Sequence, residues 1–308
     1  MDAPPSRSDP DPAVARGARR WVLGARPRTL PAAIVPVAVG AACAVGLDGA
    51  AADGGPVWWR APVAGLVSLS LQVGVNYAND YSDGVRGTDD VRVGPTRLVA
   101  SGLASPSAVK RAALVAFGIA AVAGLALAAV TTWWLLLVGA VSILAGWGYT
   151  GGPRPYGYLG LGEVFVFVFF GLVATAGTTF VVAEQLTLLS VIAGSSVGSL
   201  ACALLVVNNL RDIDNDGAVG KRTLAVRLGD RGTRWLYSGF VGGAFVLVVV
   251  AAVWRLPAII ALAALPAALP TVRDVLRGAA GPDLIVVLGA TGRLHLVAGL
   301  ALAVGLAL

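Results

Sequence analysis

Polar and apolar residues in this chain are not interleaved at the helical or the strand period. Apolar residues come in long blocks and polar residues gather between them. A block of about 20 apolar residues is long enough for a helix to cross a hydrocarbon core. Such blocks lie at 29–47, 61–80, 108–129, 133–150, 161–182, 187–208, 235–254, 256–275 and 285–307, which predicts about nine transmembrane helices. Only Arg255 and Pro257 separate the seventh block from the eighth. The expected fold is an all-α, polytopic membrane protein. Residues 1–20, rich in Pro, Asp and Arg with no apolar core, are expected to form a disordered cytoplasmic tail ahead of one membrane domain at 21–308.

Composition supports a membrane protein, with 57% hydrophobic and 13% charged residues and a mean hydropathy of +0.79. The distribution of charge then sets an orientation. Alternate loops carry Arg86, Arg92, Arg97, Lys110, Arg111, Arg154, Arg211, Lys221, Arg222 and further basic residues, whereas the opposite loops carry only Arg60 and Arg255. The positive-inside rule places the first set in the cytoplasm and the C-terminal Leu308 on the other face. The net charge of +6 is accounted for by this topology and by attraction to anionic headgroups and phosphates, so no nucleic-acid partner is implied.

Two polar clusters close apolar blocks at the cytoplasmic ends. Asn76, Asn79, Asp80 and Asp83 close one, and Asn208, Asp212 and Asp216 close another, with Asp89, Asp90 and Asp214 nearby. Offsets of about three, four and seven residues return side chains to one helix face, so each cluster aims its oxygens one way. A lone Asp in such a place reads as a helix cap or a solvated turn. Two clusters at membrane ends read instead as hard-oxygen sites lining a polar cavity, suited to Mg²⁺ and a phosphate-bearing substrate. Residues 61–100 and 193–232 share one layout of apolar helix, acid cluster, Gly-containing loop and Arg, which implies clusters facing each other across a central cavity open to the cytoplasm. The four Asp residues, Asp80, Asp83, Asp212 and Asp216, are the expected catalytic acids. Arg86, Arg97, Lys221 and Arg222 follow the clusters as expected clamps for a diphosphate, whose apolar tail the helices would shelter from water. Cys43 and Cys202 fall inside apolar blocks, as small buried hydrophobes do. His295, the only histidine, is read as structural or snorkelling.

At these residues the chain resembles the UbiA superfamily of intramembrane prenyltransferases. Asn76-x-x-x-Asp80 is similar to the first half of its first acidic motif, with Asp83 taken as the third ligand one residue early beside Gly84. Asp212-x-x-x-Asp216 is similar to the second motif. The segments RPRTLP at 26–31, NYANDYSDGVRGTDD at 76–90, GPTRLVASG at 94–102, YTGGPRPYGYLGLGE at 149–163 and NNLRDIDNDGAVGKRTLAVRLG at 208–229 resemble the branch that acts on 1,4-dihydroxy-2-naphthoate in menaquinone biosynthesis. The resemblance implies a bacterial plasma-membrane enzyme using Mg²⁺. It would transfer a polyprenyl group from polyprenyl diphosphate to the naphthoate, with loss of CO₂ and diphosphate, to give demethylmenaquinone. It further implies a diphosphate contact by Tyr149 and Arg154, spaced one residue wider than the superfamily's Tyr-x-x-x-Lys. The acceptor's carboxylate calls for a cation, and Arg28 or Arg97 can supply one. Other acceptors remain open: 4-hydroxybenzoate, homogentisate, haem or a phosphoribosyl diphosphate. A cation-coupled transporter would place its carboxylates near the bilayer midplane, whereas these sit at helix ends.

Overall fold

The computed structural model describes residues 17–49, 51, 54–87 and 97–308, and among these there is no strand. The elements in chain order are α1 (Ala18–Ala25), a 3₁₀ turn (Pro27–Thr29), α2 (Pro31–Cys43), α3 (Arg60–Arg86), α4 (Pro106–Val130) and α5 (Trp134–Gly148). A second 3₁₀ turn (Tyr156–Leu159) leads to α6 (Gly162–Val166), which runs through a π-helical stretch (Phe167–Val173) into α7 (Ala174–Ala183). Then come α8 (Leu188–Arg211), α9 (Ile213–Ala218), α10 (Leu224–Ala251), a 3₁₀ segment (Leu256–Ala264) leading into α11 (Leu265–Leu276), and α12 (Pro282–Ala307). Residues 1–16 of the expected tail, with Asp89, Asp90 and Arg92, lie outside the described residues, while Ala18–Arg20 open α1.

Every apolar block forms helix, but among the described residues six helical segments are long and apolar enough to cross a membrane. These are Pro106–Val130, Gly162–Ala183, Leu188–Arg211, Leu224–Ala251, Leu256–Leu276 and Pro282–Ala307. Two of the remaining three are shorter, at 13 residues in α2 and 15 in α5, and α3 carries a polar cluster along its last turns. The expected count of nine therefore rests on six full-length spans and three segments of a different kind. Chain chemistry sets the ends. Ser105, Thr187 and Thr223 cap α4, α8 and α10 by accepting from the N–H groups of Ala108, Ser190 and Val226. Gly87, at φ 69°, supplies the left-handed residue that terminates α3.

The central rod is α8, with 72% of its apolar window buried against 28–39% in the other full-length spans. It packs against α2, the π-helical stretch, α10 and α12. Small residues make this possible: a Cβ on Gly171 of the π-helical stretch would lie 2.7 Å from the Cα of Gly198 on α8. Hydrogen bonds add to such contacts, as where Thr179 Oγ1 donates to the carbonyl of Gly40 at 2.7 Å and ties α7 to α2. Cys43 and Cys202 are buried and unpaired with each other. His295 is 0% exposed, so it does not snorkel.

Candidate active site

The polar end of α3 presents two neighbouring strips rather than one. On the first, Asn76 Nδ2 donates to the carbonyl of Ala25 at 2.8 Å and to Thr29 Oγ1 at 3.0 Å, while its Oδ1 accepts from Gln72 at 3.3 Å. Asp80 continues this strip. It is 0% exposed, and its two oxygens accept from the backbone N–H groups of Leu98 and Val99 at 2.8 and 3.0 Å. The expected Asn76-x-x-x-Asp80 register thus faces the α1 end and the loop before α4. The second strip carries Asn79 and Asp83. Asn79 Oδ1 accepts from Thr150 Oγ1 at 2.7 Å, and Asp83 Oδ1 accepts from the Tyr158 hydroxyl at 2.7 Å.

The second cluster is bent by the end of α8. Asp212 is the cap residue there, and both its oxygens accept from the Arg211 guanidinium, at 2.7 and 2.8 Å. The same guanidinium reaches Asn208 Oδ1 at 3.0 Å. Asp216 lies one turn on, in α9, and its carbonyl accepts from the backbone N–H of Lys221 at 2.8 Å. Lys221 is 7% exposed, and its Nζ lies 3.7 Å from Asp83 and 4.0 Å from Asp216. One ammonium therefore sits between an acid from each cluster, and the two clusters meet there as expected. Asp214 and Arg222 point outward and are exposed.

Two participants escaped the sequence reading. Arg211 looked like a topology charge, yet its fork holds Asn208 and Asp212. Tyr158 stood in a quoted block without being singled out, because no helical period connects a loop residue to the clusters. The face of its ring has Lys221 Nζ at 4.7 Å and the Arg86 guanidinium at 5.6 Å. Arg86 also donates to the carbonyls of Thr150 and Gly152. Arg28 and Arg154 are exposed and Arg97 is half-buried.

Beside this polar layer lies an apolar cavity of about 400 Å³. Leu71 and Val75 of α3, Leu125 of α4, Ile143 of α5, Phe169 and Val173 contribute to its wall. Tyr149 and Tyr156 also line it, with rings edge to face at 5.5 Å. Tyr149 of its wall directly precedes Thr150, the residue that donates to Asn79.

Among the described residues no three Asp, Glu, His or Cys side chains close around one point. Mg²⁺ does not need that many, since it is usually held by one or two carboxylates together with substrate phosphates and water. The chemistry of the donors fits: Asp83 and Asp216 already share one positive charge, that of Lys221, and the neighbouring donors Asn79, Asn208 and Asp212 are all oxygens.

The chain is similar to known proteins over most of its length. The chain is 49% identical over 288 residues to 1,4-dihydroxy-2-naphthoate octaprenyltransferase of Mycobacterium tuberculosis, covering 94% of this chain and 97% of that one. It is 37% identical over 240 residues to the Escherichia coli protein of that name, covering 73% and 74%. Its fold is similar to an apo UbiA homolog from Aeropyrum pernix K1, with a TM-score of 0.64 at 16% identity over 89% of this chain and 97% of that one. It is also similar to a UbiA homolog from Archaeoglobus fulgidus bound to GPP and Mg²⁺, with a TM-score of 0.63 at 12% identity over 92% and 99%. The profile of the UbiA prenyltransferase family matches residues 33–283, and the chain belongs to that family.

Proposed function

We propose that this chain transfers a polyprenyl group from its diphosphate to 1,4-dihydroxy-2-naphthoate, releasing diphosphate and CO₂ and forming demethylmenaquinol, the hydroquinone of demethylmenaquinone. The observation that carries this reading is the Lys221 ammonium between Asp83 and Asp216, in a helix bundle that also encloses an apolar cavity. The names of the relatives supply the acceptor.

Asp83 and Asp216, flanked by Asn79, Asn208 and Asp212, would hold Mg²⁺ with the substrate's phosphates. The metal would supply charge neutralisation of the leaving diphosphate. Lys221 and Arg86, both over the ring of Tyr158, donate to diphosphate oxygens. The cavity wall takes the isoprenoid tail and keeps water from the allylic cation. As the C1–O bond breaks, its electron pair leaves with the diphosphate. The electron-rich naphthoate ring attacks C1, and the carboxylate departs as CO₂, leaving its bonding pair in the ring. Arg28 or Arg97 orients that carboxylate beforehand, Tyr149 and Arg154 contribute from the α5–α6 loop, and Arg222 acts from the rim. Asn76 and Asp80 support the site from behind by fixing the segments at Ala25 and Leu98. We place the site on the cytoplasmic face of a bacterial plasma membrane.

Purified protein in detergent, with Mg²⁺ and a polyprenyl diphosphate, should convert 1,4-dihydroxy-2-naphthoate to demethylmenaquinol with one CO₂ per turnover. 4-Hydroxybenzoate and homogentisate should stay unprenylated. Prenylation of either in preference to the naphthoate would refute the acceptor assignment.

A further inference from the structure

We propose that Tyr158 is a positioning residue that sets Asp83, Lys221 and Arg86 as one diphosphate-receiving unit, an inference that rests on the function proposed above. These three groups come from separate parts of the chain, Asp83 and Arg86 from the last turns of α3 and Lys221 from the loop after α9. Two cations converging on one substrate group repel each other before it binds. Tyr158 works against that repulsion in two ways. Its aromatic face attracts both, with Lys221 at 4.7 Å and Arg86 at 5.6 Å from the ring centre. Its hydroxyl donates to the same oxygen of Asp83 that Lys221 approaches, which fixes the counter-charge.

The backbone at Tyr158 is fixed as firmly as the side chain. Its carbonyl accepts from the N–H of Arg222 at 2.9 Å, which ties the loop carrying Lys221 to the 3₁₀ turn. Gly157 before it packs so closely that a Cβ there would lie 2.6 Å from the carbonyl oxygen of Tyr149. Gly160 after it closes the turn at φ 75°. Tyr158 thus connects α3, the α5–α6 loop and the α9–α10 loop through three different groups of one residue.

A residue that merely fills space would tolerate Tyr158→Phe, which keeps the ring. The positioning role predicts that Tyr158→Phe lowers kcat/KM for the prenyl diphosphate roughly tenfold, about the equivalent of one hydrogen bond to a charged group. Tm and the KM for the aromatic acceptor should stay at wild-type values. Tyr158→Leu, which also removes the aromatic face, should lose several-fold more. Affinity for an unreactive thio analogue of prenyl diphosphate, measured with Mg²⁺, should fall in parallel. In a Lys221→Ala background the change from Phe to Leu should cost less than in wild type, because one of the two cations is gone. Wild-type kcat/KM in Tyr158→Phe, or a defect confined to the acceptor's KM, would overturn the proposal. If the wild-type protein bound the analogue and prenylated no naphthoate, the acceptor reading would fail, and analogue binding would still decide the role of Tyr158.

Discussion

Asp80 and Asp83 bear the same carboxylate on the same helix, and their surroundings divide their work. Both oxygens of Asp80 accept from backbone N–H groups inside the protein, whereas Asp83 shares one oxygen between a tyrosine and a lysine at the site. Asp80→Asn replaces one acceptor with a donor facing an N–H, so it should cost stability, on the order of 1.5–3 kcal/mol for a hydrogen bond to a charged group. A thermal melt in detergent should record the drop. Asp83→Asn should abolish turnover at saturating Mg²⁺ while the protein remains folded and membrane-inserted. An Asp80→Asn protein with wild-type Tm and no turnover would return Asp80 to the catalytic set. His295 offers the opposite test. It is fully buried, and neither ring nitrogen has a partner among the described residues. An unpaired buried polar group costs about 1–3 kcal/mol. His295→Met should therefore raise Tm, and a lowered Tm would mean that the ring makes a polar contact in solution.

At the scale of elements, the two arginines on the sparsely charged face have a structural use. Arg60 donates to the carbonyls of Val130 and Val181 and to Glu184, so it completes the C-terminal ends of α4 and α7 from the first residue of α3. Arg255 does the same for α2 and α12 through the carbonyls of Val45 and Leu306. A helix end leaves carbonyls without partners and carries partial negative charge, and a guanidinium answers both needs. Arg60→Met should lower Tm by several degrees, since about 2–4 °C accompanies each kcal/mol in chains of 150–250 residues. Arg60→Lys should recover little, because one ammonium lacks the fork that reaches three acceptors. An unchanged melt for Arg60→Met would show that these bonds contribute nothing. Elements were legible in the sequence wherever apolarity defined them: the block at 108–129 is α4 at Pro106–Val130, and the break at Arg255 and Pro257 is present. Where helices continue into polar sequence, apolarity said nothing. The segment α10 begins at Leu224 and is broken by a kink at Gly229, whose φ of 68° is not helical, and α3 runs on to Arg86 instead of 80; both extensions carry charged residues beyond the apolar block.

Across the whole molecule, the existence of two polar clusters was legible, and the split of the first into two strips was not. Asn76, Asn79, Asp80 and Asp83 all fit helical spacing, so period alone could not distinguish the strips at Asn76–Asp80 and Asn79–Asp83. Partners from distant loops, Thr150, Tyr158 and Lys221, set the second strip apart. The bundle is polarised in a second respect. Trp58, Trp59, Trp133, Trp134 and Trp254 are exposed, and they cluster around the helix ends that Arg60 and Arg255 hold together, opposite the acids. Indole rings collect at membrane interfaces, which sets that end at one boundary of the bilayer. Most of the remaining Lys and Arg residues lie at the other end. Single-cysteine variants made in a background lacking Cys43 and Cys202 test the resulting orientation. A cysteine at Gly217, beside the acids, should be labelled by a membrane-impermeant maleimide only after the cells are opened. One at Glu184 or at Leu308 should be labelled in intact spheroplasts. Labelling of Leu308 only in opened cells would place both termini on the cytoplasmic side, make the number of crossings even, and require one of the two short helices, α2 or α5, to enter the bilayer without spanning it.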